Sequence, residues 1–239
     1  MNQPICENLE KIHLQIKTCC EKTGRNPEEI QLVAISKTKP ASDVDTAWQC
    51  GQLHFGENRV DELVEKMEET DKMEKAGRED IIWHFVGPMQ TNKIKYLAGR
   101  VDWIQSIYKK KYLKELEKRA GREDRVVQVL IQVNISGESQ KQGCEPEQVP
   151  QLLEYARDLE HVRIRGLMGM ASFTDDKEVI RKQFRLLRNT LEANLDKNGG
   201  AVQLEHLSMG MTHDLEIAIE EGSTMVRVGT AIFGERDYD

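Results

Sequence analysis

Lys37 stands just after the apolar run Leu32-Val-Ala-Ile35, one residue past Ser36, where a buried strand would end. An amine that is partly desolvated there loses part of its proton affinity and becomes free to attack a carbonyl, which is what a Schiff-base lysine needs. Taken alone, the position also suits a lysine whose stem snorkels from a strand end into water. Far along the chain, Ser208-Met-Gly210 and Gly229-Thr230 offer hydroxyls and small residues where backbone N–H groups can approach a phosphate. A helix beginning near Thr212-His213-Asp214 would add its dipole and amides. Either segment alone reads equally well as a glycine turn capped by a hydroxyl residue. Arg227, between them, supplies a fixed cation. A strand-end lysine, a late phosphate cup and an arginine together suit a phosphorylated carbonyl cofactor, namely pyridoxal phosphate.

Other chemistries lack their residues. The six histidines (His13, His54, His84, His161, His206, His213) form neither H-x-H nor H-E-x-x-H, so a zinc-dependent barrel hydrolase has no ligand set and no metal is expected. His84 and His206 fall within apolar runs and read as hydrogen-bonded core groups. Neither G-x-S-x-G nor G-x-x-x-x-G-K-[ST] occurs. The Met-Gly-Met pairs at 168–170 and 209–211 read as packing rather than a thioether metal site. Cys6, Cys19, Cys20, Cys50 and Cys144 are odd in number and scattered, which reads as a set of reduced thiols.

The elements that must position these residues follow from the hydrophobic pattern. Apolar, β-branched runs recur at Leu32–Ser36, Leu53–Gly56, Ile81–Gly87, Trp103–Ile107, Val126–Asn134, Ile164–Met170, Leu204–Met209 and Met225–Phe233. Charged amphipathic stretches alternate with them, among them Asp61–Lys75, Lys109–Arg119, Pro146–Leu159, Glu178–Leu195 and His213–Glu221, and an opening helical pattern covers Asn8–Glu21. Strands apolar on both faces and alternating with helices form parallel sheets. An open doubly wound sheet has room for eight strands, but the count and the 239-residue length fit a closed α/β barrel better. The expectation is a single (β/α)8 TIM barrel over residues 1–239 with an extra amino-terminal helix. In such a barrel the chemistry sits at the carboxyl ends of the strands, where the residues above fall. The stretch Glu65–Asp80 reads as a solvated helix and loop.

With 34 basic against 41 acidic residues, the net charge of −7 disfavours nucleic acid and anionic membranes as partners, while leaving room for a local basic site. No run approaches the ~20 apolar residues of a membrane span. The opening residues lack a signal-peptide core, so a cytoplasmic location is expected.

Several segments in a fixed order then make the sequence similar to the YggS/PROSC family of pyridoxal-phosphate homeostasis proteins, essentially from end to end. They are Ala34–Pro40, Phe55-Gly-Glu-Asn58, Trp83–Lys93, Gln132–Ile135 with Lys141 and Gly143, Gly166–Met170, Leu207–Met211 and Arg227–Gly234. Met89 departs from the branched aliphatic usual before Gln90, a packing change only. The resemblance implies a fold like the amino-terminal barrel of alanine racemase and a Schiff base with pyridoxal phosphate on Lys37. It matches Ser208, Gly229 and Thr230 to phosphate-binding positions, Arg227 to the arginine facing the pyridine nitrogen, and Asn58 to a residue beside the ring. His84, Gln90, Asn92 and Lys93 belong to the signature without a defined role, and Lys141 lies in a loop that could cover the site.

The resemblance further implies a carrier that buffers or delivers the cofactor, with apo-enzymes as acceptors and no catalytic residues of its own. An amino-acid racemase is the enzymatic alternative, and an interaction module with a vestigial site is a third. The sequence stops at Asp239, five residues after Gly234, leaving no place for the second domain that brings a racemase its opposite-face base. Racemisation needs an acid and a base on opposite faces, so turnover is expected to be negligible. A cation facing the ring nitrogen would weaken the electron sink in the same direction.

Overall fold

A computed structural model describes residues 3–72, 80–138, 140 and 142–235. Lys141 therefore lies outside the described residues, as do residues 73–79 of the charged stretch. Eight parallel strands close into a barrel in sequence order. They are β1 (Gln31–Ile35), β2 (His54–Glu57), β3 (Ile82–Phe85), β4 (Trp103–Ile107), β5 (Val127–Gln132), β6 (Val162–Met168), β7 (Val202–Ser208) and β8 (Met225–Val228). The helices are α1 (Gln3–Thr23), α2 (Ala41–Gln49), α3 (Val60–Lys72), α4 (Thr91–Leu97), α5 (Lys110–Arg122), α6 (Val149–Ala156), α7 (Lys177–Glu192), α8 (Leu215–Glu220) and α9 (Thr230–Phe233). The ring closes where Val33 of β1 pairs with Arg227 of β8. Among the described residues no helix is long and apolar enough to cross a membrane.

The chain separates two cores. The larger lies between strands and helices, where Phe55, Phe85, Leu113 and Phe184 are fully buried. The smaller lies inside the barrel, built from Val33, Leu130, Met168 and Met225, with Ile35, Trp103 and Met170 against it. Strand residues alternate between the two, because successive side chains point to opposite faces. Val33 and Ile35 face inward, and the same parity carries on to Lys37. Met225 faces inward too, and with it Arg227.

Two segments differ from their sequence reading. The run Met225–Phe233 is not one strand: β8 stops at Val228, and Gly229 turns the chain into the short helix α9. The stretch from Glu65 is not uniformly solvated either, since Lys66 and Thr70 of α3 are buried.

α1 lays Ile5, Leu9, Ile12, Ile16 and Cys19, spaced at three and four residues, against the barrel's outer layer beside α2, α8 and α9. Asn8 reaches from it to donate to the Ile232 carbonyl of α9 at 3.0 Å. The reading of all five cysteines as free thiols is corrected here. Cys6 near the start of α1 and Cys50 at the end of α2 form a disulfide, with Cα atoms 5.6 Å apart. Docking α1 across α2 creates that proximity, which nothing in the spacing of the two residues announces. Cys19, Cys20 and Cys144 are free and buried.

Candidate functional site

At the carboxyl end of the barrel, one cavity is lined by Lys37, Arg227, Gly229 and Thr230 together with Lys39, Met211 and Thr212. Four of the six residues singled out from sequence thus meet in one place, although they come from opposite ends of the chain. The β1–β8 pairing brings them there. A larger hollow of about 700 Å³ lies between the loop after β5 and α7, outside the barrel, and contains none of them.

Arg227 is 5% exposed. Its guanidinium donates to Ser208 Oγ and, at 3.1 Å, to the Gly169 carbonyl. Burial lowers its pKa from the ordinary 12.5 to about 10, with the Asp214 carboxylate pulling the other way, so it remains a cation at neutral pH. Both of its hydrogen-bond acceptors are neutral. The titratable side chains lining the cavity among the described residues are Lys37, Lys39 and Arg227, a cationic lining in a chain of net charge −7. Such a pocket attracts small anions.

Ser208 and Asn58 do not line this cavity. Ser208 is completely buried and donates to Gln105 Oε1 at 2.7 Å while accepting from Arg227. Asn58 follows β2 at the same end of the barrel but outside the lining, and its backbone is wedged against Gly87. A Cβ on Gly87 would lie 1.9 Å from the Asn58 carbonyl oxygen.

Below Arg227 the polar contacts continue through the barrel. Gln105 Nε2 meets His84 Nδ1 at 3.0 Å, His84 Nε2 meets His54 Nδ1 at 3.0 Å, and His54 Nδ1 meets Gln31 Nε2. Trp103 stacks on His84 and meets His206 edge-on, at centroid distances of 5.5 and 5.4 Å. Burial lowers all three histidines, His54 to about 4 and His84 well below the usual range. They are uncharged at neutral pH, as hydrogen-bonded core groups should be. Among the described residues no cluster of three or more metal-binding side chains forms.

The loops around the cavity are tied from beneath. Thr38, a β-branched residue at φ 64°, donates its N–H to Glu62 of α3. Lys39 Nζ donates to the Glu235 carbonyl at 2.6 Å. Asp214 Oδ1 accepts from the Met211 N–H at 2.6 Å, closing the turn that carries Thr212. The helix expected to start near Thr212-His213-Asp214 is α8, which begins at Leu215 with Asp214 at its N-cap position, and the Asp214 side chain braces the turn before it. Lys39 and Met211, to which sequence reasoning assigned no role, also line the cavity, and so does Thr212, expected beside the phosphate as part of a helix start.

Relatives and solved structures bear on what this arrangement is. The family described as alanine racemase, N-terminal domain, matches residues 31–237. A pyridoxal phosphate homeostasis protein of Aquifex aeolicus is 42% identical over 98% of this chain and 99% of its own. The chain belongs to the pyridoxal phosphate homeostasis protein family. The family member from Escherichia coli K12, with the same name, is 39% identical over 98% of this chain and 97% of its own. Among solved structures, PipY of Synechococcus elongatus with PLP bound superposes at TM-score 0.81 with 32% identity, covering 96% of this chain and all of that one. An alanine racemase of Clostridium difficile shares the fold at TM-score 0.74 with 15% identity, and this chain spans 58% of it.

Proposed function

We propose that this protein holds pyridoxal phosphate on Lys37 and serves its storage and delivery rather than a reaction. The observation that carries this reading is the single cavity shared by Lys37, Arg227, Gly229 and Thr230. The donor set suits the group: an amine for the aldehyde, hydroxyls and backbone amides for the phosphate, and cations for its charge. Gly229 lets the end of β8 pack closely on β1, because a Cβ there would sit 3.0 Å from the Ile35 carbonyl oxygen. Bound on a lysine, the cofactor supplies an electrophilic carbon that a second amine can take over.

Thr230, with Thr212 and the amides around Gly229, is assigned to the phosphate. Ser208, whose hydroxyl is engaged by Arg227 and Gln105, is assigned to holding Arg227. Arg227 takes the ring nitrogen and, as a permanent cation, keeps it unprotonated. Asn58 stays at the edge of the ring's surroundings.

Among the described residues, both amines of the cavity, Lys37 and Lys39, come from the loop after β1, so its lining does not set an acid and a base on opposite faces of a bound substrate. That favours a carrier over a racemase. Acceptor apo-enzymes are proposed as the partners, with transfer by amine exchange, in the cytoplasm.

Borohydride reduction of the loaded protein should leave one phosphopyridoxyl adduct, on Lys37, and none in Lys37→Ala. An adduct confined to Lys39 would overturn the assignment. Mixing loaded protein with an apo-enzyme should restore that enzyme's activity. Amino-acid turnover lost in Lys37→Ala, and orders of magnitude above that of free pyridoxal phosphate, would reverse the carrier reading.

A further inference from the structure

Beneath the loop that carries Lys37 lies a buried ionic group that the functional reading leaves unused. Glu57, the last residue of β2, is completely buried, and Lys66 of α3 is 4% exposed. Lys66 Nζ donates to Glu57 Oε1 at 2.5 Å, to the Ser36 carbonyl at 2.8 Å and to Glu62 Oε1 at 3.3 Å. Ser36 Oγ donates to Glu57 Oε1 at 2.6 Å, and Glu62 Oε1 accepts the Thr38 N–H. The residues on either side of Lys37 are therefore held by the same three side chains.

Two further features show that the arrangement is held against a cost. Thr38 keeps a left-handed backbone that β-branched residues rarely adopt, and such strain persists only where the surroundings over-determine it. The second oxygen of Glu57 is buried without a hydrogen-bond partner among the described residues. Burying an ion pair is a poor route to stability, and a hydrophobic pair of similar volume commonly does as well or better. A pair kept here, wrapped around one loop, points to orientation.

We propose that Glu57, Glu62 and Lys66 are positioning residues that clamp residues 36–38 and thereby aim the Lys37 amine into the cavity. The inference rests on the reading that Lys37 takes the cofactor's carbonyl. Reacting groups need near-attack geometry, and a displacement of about 1 Å can cost on the order of a hundredfold in rate. Removing the clamp should leave the phosphate cup intact while misdirecting the amine.

The test uses the full chain, freed of cofactor and mixed with pyridoxal phosphate well below each variant's unfolding temperature. Three readouts are followed: growth of the visible band, its induced circular dichroism, and the distribution of borohydride adducts between Lys37 and Lys39. The variants are Glu62→Ala and the double Glu57→Gln/Lys66→Met, which leaves no lone buried charge. The double variant should load roughly tenfold more slowly, lose most of the induced dichroism and shift adduct toward Lys39. Glu62→Ala should show the same changes to a smaller degree. Glu62 is one-fifth exposed, so that variant decides the matter if the double one does not fold. Parent-like rate, dichroism and adduct distribution in a folded variant would overturn the clamp while leaving Lys37 as the carrier. A parent protein without a Lys37 adduct would overturn both.

Discussion

Replacing Ser208 by Ala separates two roles for one hydroxyl. The Ser208 Oγ sits between the Arg227 guanidinium and the Gln105 amide, and all three side chains are buried. Its loss takes the acceptor from one guanidinium nitrogen of Arg227, the other keeping the Gly169 carbonyl, and removes the donor that Ser208 gives to Gln105 Oε1. A hydrogen bond to a charged group is worth about 1.5–3 kcal/mol, and an unsatisfied buried acceptor costs about 1–3 kcal/mol. Relaxation of the long Arg227 side chain recovers part of this, so a net loss of about 3 kcal/mol is expected. For a chain of this size each kcal/mol moves the melting temperature by about 2–4 °C, giving a fall of about 6–12 °C. Thr230 is exposed, so Thr230→Ala should change the melting temperature of cofactor-free protein little, within about 0.5 kcal/mol. It should instead weaken retention about 10–100-fold, the worth of one charge-assisted hydrogen bond to phosphate. Thermal melts must use cofactor-free protein, because bound ligand raises stability by mass action. Retention is read from dialysis of the loaded protein. If Ser208→Ala melts within about 2 °C of the parent yet sheds cofactor as Thr230→Ala does, the hydroxyl serves the phosphate directly and the argument from burial fails.

Acid should unfold the barrel from within: His54, His84 and His206 have folded-state pKa values depressed by burial, His54 to about 4. Their contribution is therefore complete above about pH 6.5 and is lost as the pH falls toward 4, because the unfolded chain binds those protons first. Glu57, raised by burial, has the opposite sign, so His54→Gln should flatten the acid limb of a melting-temperature profile and Glu57→Gln should not. Reducing the Cys6–Cys50 bond, which closes a loop of 44 residues in sequence separation, should lower stability by up to about 4 kcal/mol. Urea midpoints with and without reductant, unchanged in Cys6→Ser, check this. Gly87→Ala would drive a Cβ into the Asn58 carbonyl and should cost about 1–3 kcal/mol, read from the same urea curves.

The barrel was legible because its strands are short apolar runs and its helices carry a separate period. The place of Lys37 at the cavity was legible for the same reason, since it follows the apolar run that ends β1. Contacts that depend on docking were not. Lys66 sits in a stretch whose composition reads as solvent-facing, and only the packing of α3 on the end of β2 turns that one lysine inward. Cys6 and Cys50 carry no spacing signal, since their meeting depends on where α1 lies.

Ser208 shows most clearly where strand-by-strand reading runs out. Judged from its own strand, it is the last residue of β7 and belongs at the mouth of the barrel. Depth, however, is set by register against the neighbouring strand. Ser208 pairs with Met225, two residues before Arg227, while the Arg227 N–H donates to the Gly210 carbonyl. Inward-facing residues repeat every second position, so along the β7–β8 register Ser208 stands two residues short of Arg227, and the position opposite Arg227 is Gly210, beyond the end of β7. The Ser208 hydroxyl meets the guanidinium, is completely buried and does not line the cavity. Thr230 stands beyond Arg227 along the chain, at the start of α9, where it is exposed and lines the cavity. That difference, one hydroxyl buried against Arg227 and the other on the cavity lining, separates the positioning role proposed for Ser208 from the binding role proposed for Thr230.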